Sequence, residues 1–350
     1  MFRRIFPAQI SFTARLAVLA LPLALALTLA RPEPGRCANA TSLRPGLVSL
    51  TFDNALAGVY ENAFPLLKAR GQVATVSVAP AKIEPGNDDF MTVDQLRELQ
   101  DAGWEIASAG LHGKRATDIP MTLDREGSLS WRMDDPANHV FQATYEYANV
   151  ACVLEAGLPL RPASSIEDML AHPGSYYFDR TIEELHVRPR SESPDPAGLN
   201  LTVCSLEREM IESREILGGL GFTAQVFVTP HNTWSAELKA LAGKHYPLAA
   251  AGPRKAMAPG AFDPLWISRE FVREQDTAAS VIRLLRTRAL ENREWVVLAL
   301  RNIGQDVGRE PWPQDKLRRV CDWLAASGVR TVTLSQGAAL MANSLAIPAP

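Results

Sequence analysis

The sequence predicts an α/β protein built as a (β/α) barrel of seven or eight units, interrupted by one long insertion. Three observations carry this. Short continuous apolar runs alternate with amphipathic segments, the pattern of parallel strands buried on both faces. The units are numerous enough to favour a barrel over an open doubly wound sheet. The alternation also fails once, between about 116 and 203, over a stretch too long for a structureless loop in a compact domain.

Before the barrel, Arg3, Arg4 and Arg15 precede an apolar run of 15 residues from Leu16 to Ala30. A basic start followed by such a run fits a secretory signal. It is short for a membrane span, which needs about 20 apolar residues. Small residues suit cleavage after Ala30 or after Ala40. Residues 1–40 are therefore expected to be a signal peptide, with an uncleaved anchor as the rival. The mature chain is expected in the periplasm or cell envelope, and on a membrane only if that segment stays.

The barrel units follow from Gly46. Leu47–Phe52 reads as a strand, Val59–Arg70 as a helix stopped by Gly71, and Val73–Ala79 as the next strand. Thr92 and Gln95 form a capping box that opens a helix carrying Leu96 and Leu99. Trp104–Ser108 is the third strand. After the insertion, strands are expected at Thr223–Val228, Pro247–Ala251, Leu265–Ser268, Trp295–Leu300 and Arg330–Leu334. Helices fit Ser205–Leu220, Ser235–Lys244, Thr277–Asn292 and Gln314–Ser327. The insertion at about 116–203 holds Trp131, Phe141, Tyr145, Tyr147, Tyr176, Tyr177 and Phe178, either as its own core or as surfaces for sugar rings.

Composition narrows the function. With 47% apolar and 21% charged residues in 350, the chain is globular. The formal charge of −3 excludes a generally basic nucleic-acid-binding surface. Without residues 1–40 the balance is 31 basic against 38 acidic residues, or −7, which disfavours a polyanionic partner. The four cysteines include no C-x-x-C pair, so a zinc ribbon and a thioredoxin-type motif are excluded. In an oxidising compartment Cys152 and Cys204 are the expected pair and Cys321 a buried thiol, with an all-reduced set as the alternative.

Particular segments then carry a resemblance. Val48–Asn54 (VSLTFDN), Val59–Ala63, Val73–Val76 and Gly103–Ser108 (GWEIAS) are similar to polysaccharide deacetylases with a NodB homology domain, carbohydrate esterase family 4. Arg214–Leu217, Val226–Pro230, Trp295–Leu300 and Gly328–Leu334 continue the likeness in order. The resemblance implies an irregular TIM-like barrel. It also implies a divalent ion that lowers the pKa of a water attacking an acetamide, with an acid and a base beside it.

Position by position, the chemistry implied by the resemblance is mostly absent. Asp53 stands at the base position, but Asn54 replaces the metal-binding aspartate, and its amide brings no charge. Ala109 and Gly113 stand where two histidine ligands belong, with His112 one residue out of register. Val228-Thr229-Pro230 lacks the arginine that orients the base, and Asp263 and Trp266 lie in the interval of a looser motif. Arg301 follows Leu300 where a histidine acid belongs, and a guanidinium does not titrate near neutrality.

The expectation is therefore an exported protein with a degenerate deacetylase site, Asp53 its vestigial base. Asn54, His112, His231, Trp266 and Arg301 are the candidate substrate-binding residues, with Arg301 either binding an acidic group or pairing with Asp53. No metal is expected; the alternative is a zinc-like ion rebuilt from Asp53, His112 and His231. The expected partner is a polysaccharide or oligosaccharide, with an exopolysaccharide assembly complex as a further partner. A divergent hydrolase of N-acetyl or O-acetyl groups is the rival function.

Overall fold

The computed structural model describes residues 46–83, 86–122, 129–258, 262–304 and 311–345. The expectations for residues 1–40 lie outside this range. Among the described residues no helix is long and apolar enough to cross a membrane.

The strands β1 (Leu47–Phe52), β2 (Thr75–Val78), β3 (Glu105–Ser108), β4 (Val226–Val228), β5 (Leu248–Ala250), β6 (Arg269–Phe271) and β7 (Trp295–Leu300) all run parallel. Their order is β5-β4-β3-β2-β1-β7-β6. The ends of this sheet approach each other. Ile267, just before β6, bridges Ala250 of β5 and donates its N–H to the Ala249 carbonyl at 2.8 Å. The result is a nearly closed parallel barrel. A short β8 (Arg330–Thr331) pairs with Leu47 and Val48 at the opening of β1. Every residue of β1 and β7 is buried, as strands covered on both faces require.

Helices α1 (Phe64–Lys68), α2 (Val93–Asp101), α3 (Leu206–Gly219), α4 (Ala236–His245), α5 (Ala278–Leu285), α6 (Gln314–Ser327) and α7 (Leu334–Leu345) complete the barrel units. The Thr92–Gln95 capping box forms with both reciprocal bonds. Two expected helices are less regular than their apolar spacing indicates. The first begins as a wide π turn at Val59–Ala63, and Pro65, which has no N–H to donate, sits at the start of α1. The helix after Thr277 likewise loosens into a π turn at Arg286–Glu291. The strand expected at Leu265–Ser268 pairs mainly at Arg269–Phe271 instead. There the Asp263 side chain accepts the Leu265 N–H at 3.0 Å and holds the approach as a turn.

Between β3 and α3 the chain leaves the barrel. Strands at 132–135, 140–144, 184–188, 175–179 and 161–162 form one small sheet, and 201–203, 153–155 and 158–159 another. Phe141, Tyr145, Tyr176, Leu185 and Val187 pack between them as a separate core. Trp131 closes it by donating its indole N–H to the Leu201 carbonyl. Cys152 and Cys204 are joined, their Cα atoms 5.1 Å apart, which ties this region to the residue before the α3 cap. Cys321 is a buried thiol on α6, its pKa pushed up to about 12 by burial.

Candidate functional site

The carboxyl ends of the strands surround a cavity of about 650 Å³. This is the face on which (β/α) barrels build their sites, because the following loops are free to vary. Asp53 directly follows β1, and Ser77, Thr229, Phe271 and Arg301 reach the same cavity from β2, β4, β6 and β7. After Asp53 the backbone turns sharply, with Asn54 at φ 72° and Ala55 at φ 49°. Asparagine tolerates that left-handed region better than most residues, and here it also lines the cavity.

Asp53 is held in an ion pair. Its Oδ1 accepts from Arg269 Nη1 at 2.7 Å and from Ser77 Oγ at 3.3 Å. The Arg269 side chain is fully buried, and that of Asp53 is 14% exposed. Arg269 Nε also donates to Asn232 Oδ1 at 3.2 Å, while Nη2 is buried without a hydrogen-bond partner among the described residues. The guanidinium on Asp53 is thus Arg269. Arg301, considered for that pairing from sequence, lines the cavity instead. The strand β7 stands between β1 and β6, so the pair crosses the barrel interior and leaves no trace in strand patterning.

The positions where the resemblance implies two histidine ligands are equally distinct. Ala109 is buried. Gly113 lines the cavity at φ 67°, and a Cβ placed there would lie 3.1 Å from Lys82 Nζ and 3.8 Å from Asn54 Oδ1. The Lys82 ammonium therefore occupies the space that a side chain at 113 would enter. A divalent ion needs negatively charged or neutral imidazole donors. The described lining offers the Asn54 amide, the Lys82 ammonium, an Asp53 carboxylate already bound to a guanidinium, the Glu274 carboxylate and one imidazole, His231. Among the described residues no three His, Cys, Asp or Glu side chains gather into a metal-binding group. The residues present do not fit the ion that the resemblance implies.

The remaining candidates separate. His112 turns onto α3, where its Nδ1 lies 2.6 Å from Glu209 Oε1 and its backbone N–H donates to Oε2 at 2.7 Å. Glu209 is buried, so this bond fixes the loop after β3. His112 consequently lines a second cavity of about 550 Å³, with Lys82, Lys114, Tyr176, Tyr177 and Phe178. His231 lies in the first cavity at φ 56°. Its pKa is lowered from 6.5 by burial first, then by Arg115 and Arg301. Asp53 and His231 thus share one cavity while His112 faces another, and the ligand set Asp53, His112 and His231 is not assembled. Trp266 lines neither cavity; it stacks on Trp234 with ring centroids 4.2 Å apart. Asp263 pairs with Lys239 at 2.5 Å.

Sequence reading missed Lys82, Arg115, Arg269 and Arg273. Arg269 opens β6 and the other three lie in loops near strand ends, and isolated cations of either kind look like ordinary surface residues until the barrel gathers them.

Comparison with known proteins agrees with the first half of the barrel. The family model for polysaccharide deacetylase matches residues 41–131, covering β1 to β3 and the loops bearing Asp53, Asn54 and Gly113. The resemblance to that family therefore holds over this stretch. Solved structures similar to the chain include the family 4 carbohydrate esterase domain of a multidomain xylanase from the hindgut metagenome of Trinervitermes trinervoides (10% identity, 84% of this chain and 90% of that one, TM-score 0.44). Others are a family 4 acetyl xylan esterase from Clostridium thermocellum (12%, 84% and 91%, TM-score 0.43) and the BpsB deacetylase domain from Bordetella bronchiseptica (15%, 72% and 72%, TM-score 0.34). At these levels no residue's role passes from them to this chain. No curated protein matches it.

Proposed function

We propose that this chain is an exported polysaccharide-binding protein whose barrel mouth holds a glycan without hydrolysing it by a metal-bound water. One observation carries the reading: Asp53 is paired with the buried Arg269 while the Lys82 ammonium fills the space beside Gly113 in the same cavity. Metal-assisted deacetylation depends on a cation lowering the pKa of water from its bulk value to about 7. Asp53 is held by a buried guanidinium, and the Lys82 ammonium in the same cavity repels such an ion. What remains is a concave, polar-lined mouth on the functional face of the barrel. Lys82 lines both cavities, so the mouth adjoins the cleft that Tyr177 and Phe178 line.

A second reading, a divergent hydrolase of N-acetyl or O-acetyl groups, is favoured by the His112–Glu209 pair. A buried carboxylate bound to one nitrogen of a part-exposed imidazole is a general-base arrangement. The test is titration of the purified protein with N-acetylated and O-acetylated oligosaccharides, with acetate release followed in parallel with added zinc, cobalt or nickel. Saturable binding with no metal-dependent release supports the first reading. Metal-dependent release that disappears in Asp53→Asn overturns it, and metal-independent release that disappears in His112→Ala transfers the chemistry to the second cavity.

A further inference from the structure

The charge inside the mouth runs against the charge of the chain. Its described lining includes Lys82, Arg115, Arg273 and Arg301 against the carboxylates Asp53 and Glu274. Asp53 is already neutralised from beneath by Arg269. Lys82, Arg115 and Arg273 form no ion pair with any described carboxylate within 4.0 Å. Yet the chain beyond residue 40 carries −7. Such a contrast repels a densely charged polymer at long range while favouring one negative group in the cavity.

The titrating groups feel the same field. Lys82 is lowered from 10.5 by burial, then by Lys114 and Arg301. His231 is lowered by burial, then by Arg115 and Arg301. In both, burial acts first, and the neighbouring cations outnumber the one opposing carboxylate, Glu209 at Lys82 and Asp118 at His231. Arginine at such a place binds planar oxyanions through two parallel N–H bonds, and lysine adds a point charge.

Resting on the glycan-binding reading, we infer that the barrel mouth is an anion subsite that takes one acidic group of a sparsely charged polysaccharide, a uronate carboxylate or a sulfate ester. Lys82 and Arg115 hold that group. Because Lys82 also borders the second cavity, the adjoining sugar lies toward Tyr177 and Phe178.

The experiment uses three matched trisaccharides on the full mature chain: a neutral parent, the same sugar with one glucuronate, and the same sugar with one sulfate ester. Binding is measured at low and at physiological salt for native protein, Lys82→Gln, Arg115→Gln and the double variant. Tighter binding of either acidic sugar than of the parent, by at least tenfold and weakening with salt, is the expected result; the preferred acid identifies the source. The double variant should lose that preference, binding either acidic sugar no more tightly than it binds the neutral parent. Equal binding of all three sugars overturns the anion subsite and leaves the glycan reading standing. Binding of none overturns both. An acidic preference that survives the double variant overturns the assignment of that group to Lys82 and Arg115.

Discussion

Replacing Arg269 by methionine removes the partner of Asp53 and leaves a carboxylate in a place where water reaches it poorly. Breaking one side of a buried ion pair costs about 3–5 kcal/mol, because the remaining charge loses its compensation. Asp53 retains the Ser77 bond and borders the cavity, so the low end applies, about 3 kcal/mol. With a urea slope of about 3 kcal/mol per molar, the unfolding midpoint falls by about 1 M. Asp53→Leu strands the buried Arg269 guanidinium and should cost as much or more, since that side chain is fully buried. The double variant Asp53→Leu/Arg269→Met should recover at least half of the summed loss, because an apolar pair of similar size carries no uncompensated charge. Equilibrium urea unfolding of the four proteins supplies the cycle. Single costs below about 1 kcal/mol that simply add would refute the reasoning, since that is how an exposed pair behaves.

Three further outcomes follow from the same geometry. The imidazole of His231 should titrate below 6.5 by proton NMR, and Arg115→Gln should raise its midpoint; a native midpoint at or above 6.5 contradicts the field described for the mouth. The linked stability has a definite sign: a depressed histidine pKa means the unfolded chain takes the proton first, so His231 lowers stability as pH falls below about 6.5. Reducing Cys152–Cys204, which closes a separation of 52 residues, should lower stability by about 4 kcal/mol on loop-closure grounds, measured by urea unfolding with and without reductant. An unchanged midpoint would show that the bond does not restrain the unfolded chain. Gly113→Ala should cost about 1 kcal/mol from its left-handed backbone and displace Lys82, which weakens acidic-sugar binding; full retention of both properties contradicts the close approach at that loop.

The barrel was legible because burial on both faces writes continuous apolar runs into the chain, and LVSLTF and WVVLAL pair residue for residue as β1 and β7. The helix α7 went unread although its signal was present. Thr333 and Gln336 exchange the two bonds of a capping box, but the apolar run before them reads as the end of a strand. At the site, sequence could mark where the chain departs from the residues the resemblance implies, at Asn54 and Gly113. It could not show what had taken their place. Lys82 and Arg269 reach the mouth from segments far apart in sequence, through contacts that no local spacing encodes. The partner of His112 was illegible for a similar reason: Glu209 lies 97 residues later.

The central claim is that the barrel mouth is a cationic binding site and not a metal centre. The most direct test is the metal content of the purified protein after dialysis against excess zinc, cobalt and nickel, followed by removal of free ion. Native protein should retain far less than one ion per chain, and Asp53→Asn should be indistinguishable from it. Near-stoichiometric retention by the native protein, lost in Asp53→Asn, would contradict the account.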